Sequence, residues 1–154
     1  PERGRLLLRA VEGKDAGTAL PGEMPSDADS ELGHCLAADE PLAVADLADD
    51  VRFRASSAFL EQGLHSALLT PVPKLVNREC PWGLLAVFTR RRRVFAQNDL
   101  FFIQAVATLL SAALQQQENE TALLARQKEM ARQHRELNDL FDRVTAAKLE
   151  WEAT

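Results

Sequence analysis

The chain has 154 residues, of which 46% are hydrophobic and 27% charged, and its formal net charge is −5. This balance fits a soluble globular domain with an appendage, and the mixed charges offer no basic face to nucleic acid. Its longest apolar stretch, roughly Ala105 to Leu114, falls well short of the ~20 residues that span a bilayer, so no membrane contact is expected. Two cysteines, Cys35 and Cys80, make no disulfide framework, and a cytoplasmic, reducing setting follows.

In chain order, Arg5–Val11 (RLLLRAV) reads as a short strand ending in the glycine-containing loop 12–17. Thr18–Pro25 holds two prolines and a glycine and reads as irregular. Ser26 or Asp27 is the expected cap of a helix running to about Ala38, with Leu32, Cys35 and Leu36 on its apolar face. Gly33 inside that helix costs about 1 kcal/mol relative to alanine. PLAVAD, from Pro41, is a short strand, and 46–54 a polar loop. Ser56–Gln62 is a short helix stopped by Gly63.

His65–Pro73 follows as a strand. Pro71 and Pro73 lie two apart, so their missing N–H groups face one lateral side. That side is not a fully paired interior edge; a bulge or a strand leaving the sheet is expected there. Residues 74–81 form a turn, and Trp82–Thr89 (WGLLAVFT) returns as the antiparallel partner. The basic run Arg90–Arg93 at its end reads as solvated charge rather than a phosphate or lipid site.

From Ala96 to Thr154 there is neither proline nor glycine, and a long helix is expected with Asn98 or Gln97 near its start. Its first part carries a wide apolar stripe; 115–120 (QQQENE) has none. Beyond lies a seam at Leu123, Gln127, Met130, His134, Leu137, Phe141, Val144, Lys148 and Trp151, with spacings of four and three that make a heptad. Upstream, Ile103, Val106 and Leu110 follow the same rule but join the later seam one step out of phase, a stammer. A helix of nearly 60 residues at ~1.5 Å per residue is longer than such a domain is wide. A parallel homodimer through this helix is therefore expected, weakened by its polar seam positions. The alternative is a helix folded back on its own domain.

The order of these parts resembles the GAF family of small-molecule-sensing domains: Arg5–Val11, Leu42–Asp46, HSALLTPV, WGLLAVF, then F-x-x-x-D at Phe95 and Asp99, then a helix. The resemblance spans about residues 5–117. It implies an α+β fold, a central antiparallel sheet flanked by helices, followed by a coiled-coil helix. The domains expected are 1–117 and 118–154. GAF domains start with a helix and strand upstream of the first strand seen here, so the fold is expected to be N-terminally truncated. The C-terminal KLEWEAT resembles the lead-in to PAS domains, implying a bacterial sensor kinase or cyclase as parent.

The resemblance further implies a ligand cavity between sheet and covering helices, lined by Arg52, Phe53, Phe59, Leu60 and His65. The ligand is not named by the sequence. The family's cyclic-nucleotide signature is kept only at Phe95 and Asp99, and Thr89-Arg90 and Leu100 depart from it. His34 and His65 offer haem ligands in principle; bilin patterns are absent and no zinc-ligand spacing occurs, so no metal and no particular cofactor is assigned. Gly33-His34-Cys35 invites comparison with the GAF branch that reduces free methionine sulfoxide. The other cysteines of that branch have no counterparts between Asp46 and His65. A regulatory, non-enzymatic sensor and dimerisation module is therefore expected, with a ligand-free dimerisation domain and the reductase as alternatives.

Overall fold

The computed structural model describes residues 4–13 and 20–153. Its elements run β1 (Arg5–Leu7), β2 (Glu23–Pro25), α1 (Glu31–Ala38), β3 (Leu42–Val44), α2 (Ser57–Glu61), β4 (Ser66–Val72), β5 (Gly83–Thr89) and α3 (Gln97–Glu152). The chain divides into two compact units, Pro1–Leu114 and Gln115–Thr154. The fold is α+β, as expected, with antiparallel sheets, short helices and a long C-terminal helix.

β1 and β2 pair antiparallel, Leu6 opposite Met24, as a two-stranded sheet. The backbone bonds Leu8 N to Gly22 O and Ser26 N to Gly4 O extend this ladder at both ends. The expected strand is thus shorter than Arg5–Val11, and part of the stretch expected to be irregular is its partner. Most of the loop expected at 12–17 lies outside the described residues.

Because Ser26 N–H is engaged with Gly4, neither Ser26 nor Asp27 starts α1; Ser30 does. Its Oγ accepts from Gly33 N at 3.1 Å, a regular N-cap bond, and donates to Asp27 O at 2.8 Å. Gly33 has a specific reason to be glycine. A Cβ there would lie 1.9 Å from Asp27 O, so α1 starts against the backbone of its own lead-in. Asp39, at φ 52°, closes the helix in the left-handed region.

The second sheet has order β3-β4-β5, all antiparallel. The β3 register runs from Leu42 opposite Leu69 to Val44 opposite Ala67. The β5 register continues further, to Pro71 opposite Leu84 and Val72 opposite Gly83. β4 therefore outruns β3, and Pro71 and Pro73 fall where a strand neighbour is present on one side only. The free lateral side expected from the two prolines is this one. All seven residues of β4 are buried. Ala67 and Leu69 join Leu32, Cys35, Val44, Phe53 and Phe59 in one apolar cluster, and Leu68, Thr70 and Val72 alternate onto the other face.

Ser66 fastens the beginning of β4. Its buried Oγ lies 2.5 Å from Ala45 O and accepts from Arg93 N at 2.8 Å, tying the segment after β3 to the segment after β5. α3 opens on a carboxylate lock: Asp99 Oδ2 accepts from Ala96 N at 2.9 Å, half of a capping box, and Arg93 Nη2 donates to Asp99 Oδ1 at 3.1 Å. The same guanidinium sits 5.2 Å from the Phe95 ring centroid. Phe95 and Asp99, the F-x-x-x-D pair, thus serve the strand-to-helix turn.

Candidate functional site

The residues expected to line a cavity fall into different environments. Phe53 and Phe59 both belong to the core cluster, and the Phe59 ring packs 4.3 Å from that of Phe88 on β5. Burying such a side chain stabilises a fold by about 1.5–3 kcal/mol, which accounts for both aromatics without a ligand. Leu60, one residue on, turns outward and is 39% exposed. His65 holds the start of β4 through its backbone, its N–H donating to Thr89 O and its carbonyl accepting from Leu47 N. His34, on α1, tilts against Phe53 with ring centroids 6.1 Å apart.

Arg52 is committed to protein partners. Its Nε donates to Asp50 Oδ1 at 2.9 Å and its Nη2 to Ala43 O at 2.9 Å. The hydrogen bonds from Arg52 hold the Asp50 carboxyl below the usual carboxylate range, and the same pairing raises the guanidinium. Arg52 and Phe53 thus come together beside His34, and Phe59 shares the core cluster with Phe53.

Charge elsewhere is similarly engaged. In the basic run, Arg92 Nε lies 2.7 Å from Asp46 Oδ2, and Arg93 pairs with Asp99. Glu31 is fully buried at the start of α1; Oε2 accepts from Ser56 N at 3.0 Å, and Oε1 has no hydrogen-bond partner among the described residues.

Cys35 lies in the core, its Sγ donating to Glu40 O at 3.2 Å. Burial, then the negative charge of Asp39, push its thiol up to about 12, against a smaller lowering by the Leu42 N–H. Such a thiol stays protonated near neutrality and is a poor nucleophile. Cys80 is exposed and free. Among the described residues, no group of three or more His, Cys, Asp or Glu has metal-binding geometry, and no helix is long and apolar enough to cross a membrane.

An open cleft of about 410 Å³ lies where β4 outruns β3, with Thr70, Pro71, Lys74, Glu79, Gln104 and Thr108 among its walls. Sequence reasoning had not assigned these residues to a site, though the paired prolines, Pro71 among these walls, had marked that side as free. Ser111 Oγ donates to Pro73 O at 3.1 Å beside it.

Within the first unit, α3 buries Ile103 and Ala107. Ile103, expected in the dimer seam, is 3% exposed and so is already used by its own domain; Val106 and Leu110 are each 37% exposed. Further along, Leu123, Met130, Leu137, Phe141, Val144 and Trp151 are all exposed in the single chain.

The GAF domain profile matches residues 3–114. The chain belongs to the GAF domain family. Among curated proteins none matches the sequence. Among solved structures, the GAF chain is similar to a type II free methionine-R-sulfoxide reductase from Thermoplasma acidophilum, with 17% identity, a TM-score of 0.57 and coverage of 72% of this chain and 71% of that one. It is also similar to the GAF domain region of a Geobacter sulfurreducens PCA protein, with 21% identity, a TM-score of 0.57 and coverage of 74% and 75%. A third is the GAF domain of a phosphoenolpyruvate-protein phosphotransferase from Coxiella burnetii, with 19% identity, a TM-score of 0.53 and coverage of 65% and 57%. At these identities the likeness is one of fold. GAF domains are generally regulatory, ligand-binding modules.

Proposed function

We propose that this GAF domain is a non-catalytic sensor and dimerisation module of a bacterial cytoplasmic signalling protein, such as a sensor kinase or cyclase with a PAS-like segment following. Its second unit, from about residue 118, pairs with that of a second copy and passes the state of the domain onward. One observation carries this: α3 supplies Ile103 and Ala107 to the domain interior, and the same helix carries the exposed heptad from Leu123 to Trp151. A change in packing around Ile103 therefore acts on the helix that holds the partner.

Light scattering tests the dimer. The wild-type chain is expected at twice its chain mass, and Leu137→Asp with Phe141→Asp at the single mass, since charge at two apolar layers opposes pairing. Equal masses for the two proteins count against the seam.

A ligand-free dimerisation domain is the second reading, favoured by the filled core around Phe53 and Phe59. A thermal-shift screen with nucleotides, haem, bilins and small acids separates the two, because a ligand that binds the folded form alone raises Tm by mass action. The enzyme alternative requires turnover of free methionine sulfoxide that vanishes in Cys35→Ser. The burial and raised thiol of Cys35 speak against it.

A further inference from the structure

Burial sets Ile103 and Ala107 apart from the other large apolar residues of the first unit's helix segment, of which Phe101, Phe102, Val106, Leu109 and Leu110 are exposed. Phe102 is 72% exposed, Leu109 71% and Val106 37%, and Ala113 is exposed as well. At about 100° per residue, positions 102, 106, 109 and 113 share one narrow stripe, and 103 and 107 lie roughly a third of a turn away.

The exposed stripe has a definite count. Its spacings are four, three and four, as in a heptad seam. Continued through Gln116 and Glu120, the same alternation arrives at Leu123, the first apolar position of the distal seam, and runs on to Trp151 without an inserted or missing step. Counting from Ile103 had required a stammer; counting from the exposed Phe102 requires none.

We infer that Phe102, Val106, Leu109 and Ala113 form a docking face for the same four residues of a second copy of this chain, packed parallel and in register. This rests on the dimer proposed above and extends it into the sensor domain. The occupant is a second copy because one parallel partner in one register satisfies both this stripe and the distal seam. A two-fold pairing also sets each layer against itself, which an unrelated helix has no reason to match. The flanking positions agree. Ala105, Leu110, Ala112 and Gln117 carry no charge, so self-pairing meets no like-charge repulsion there and no charge calls for a complementary foreign partner. The weak layers are Gln116 and Glu120, between two apolar blocks.

Cysteine cross-linking tests register residue by residue. The background is the whole chain with Cys80→Ser, which removes the exposed native thiol and leaves Cys35 buried. Leu109→Cys, Leu110→Cys and Leu137→Cys are each oxidised with copper phenanthroline and run on a non-reducing gel. The substituted leucines are exposed, so the fold persists, and circular dichroism verifies it. Leu109→Cys and Leu137→Cys are expected to link to their own copies about ten-fold faster than Leu110→Cys, because only facing positions approach disulfide geometry. Linkage at 137 with none at 109, or faster linkage at 110 than at 109, overturns the inference while the distal dimer stands. Absence of linkage at all three positions removes both.

Discussion

Cys35 has a consequence that pH can read. Its thiol ionises near 9 when free and is pushed up to about 12 by burial and Asp39. The folded state therefore holds its proton where the unfolded chain has released it. The resulting stability is fully present below the unfolded pKa and is lost as pH rises towards 12, at up to about 1.4 kcal/mol per pH unit. Between about pH 7 and pH 10, urea denaturation is expected to show wild type losing about 1.4 kcal/mol more than Cys35→Ala, which cannot ionise. Equal losses would mean the thiol is not held as the structure describes. The cysteine was legible in the sequence as a helix-face residue, but its neighbours were not. Phe53 and Phe59 raise the same difficulty. An aromatic next to a short helix reads alike whether it faces an opening or fills a core, because sequence records the side chain and not the space in front of it.

Local elements were most legible where a single physical signal dominated. Apolar runs on either side of the turn at 74–81 marked β4 and β5, and Gly63, at φ 69°, closes the turn after α2. The paired prolines correctly flagged a side of β4 lacking a strand partner. Boundaries shifted where backbone partners far along the chain intervened: Gly4 takes Ser26 N–H, so α1 starts at Ser30, and β2 exists because β1 lies beside it. Gly33 makes the point testable, since helix propensity and packing predict opposite signs. Propensity alone gives Gly33→Ala a gain of about 1 kcal/mol. The Asp27 carbonyl, 1.9 Å from the position of the new Cβ, is backbone and yields only by moving the start of α1. A loss of about 1–3 kcal/mol is expected in chemical denaturation, as for other overpacked sites. A stabilised variant would show that α1 does not start against its lead-in.

At the scale of the whole molecule, the second unit poses a question of stability that the first does not. Every residue from Asn119 to Ala153 is exposed in the single chain, Leu123, Leu137 and Phe141 included. Its ion pairs, such as Arg132 with Glu129 and Glu136, are exposed i,i+3 and i,i+4 contacts of a few tenths of a kcal/mol each. Those contacts fall short of holding a helix of this length in water, where helices gain most of their stability from packing an apolar face. In the proposed dimer that packing comes from association, and helicity in this stretch is then expected to follow protein concentration. Circular dichroism at 222 nm is expected to weaken on dilution through the dissociation range, with the lost signal corresponding to about the last quarter of the chain. The thermal transition of the first unit, which has its own core, persists in the diluted sample. Leu137→Asp with Phe141→Asp is expected to give the diluted spectrum at every concentration. A helix signal that ignores both dilution and these substitutions would mean that a single chain sustains the helix, and the seam would then lose its physical reason to pair.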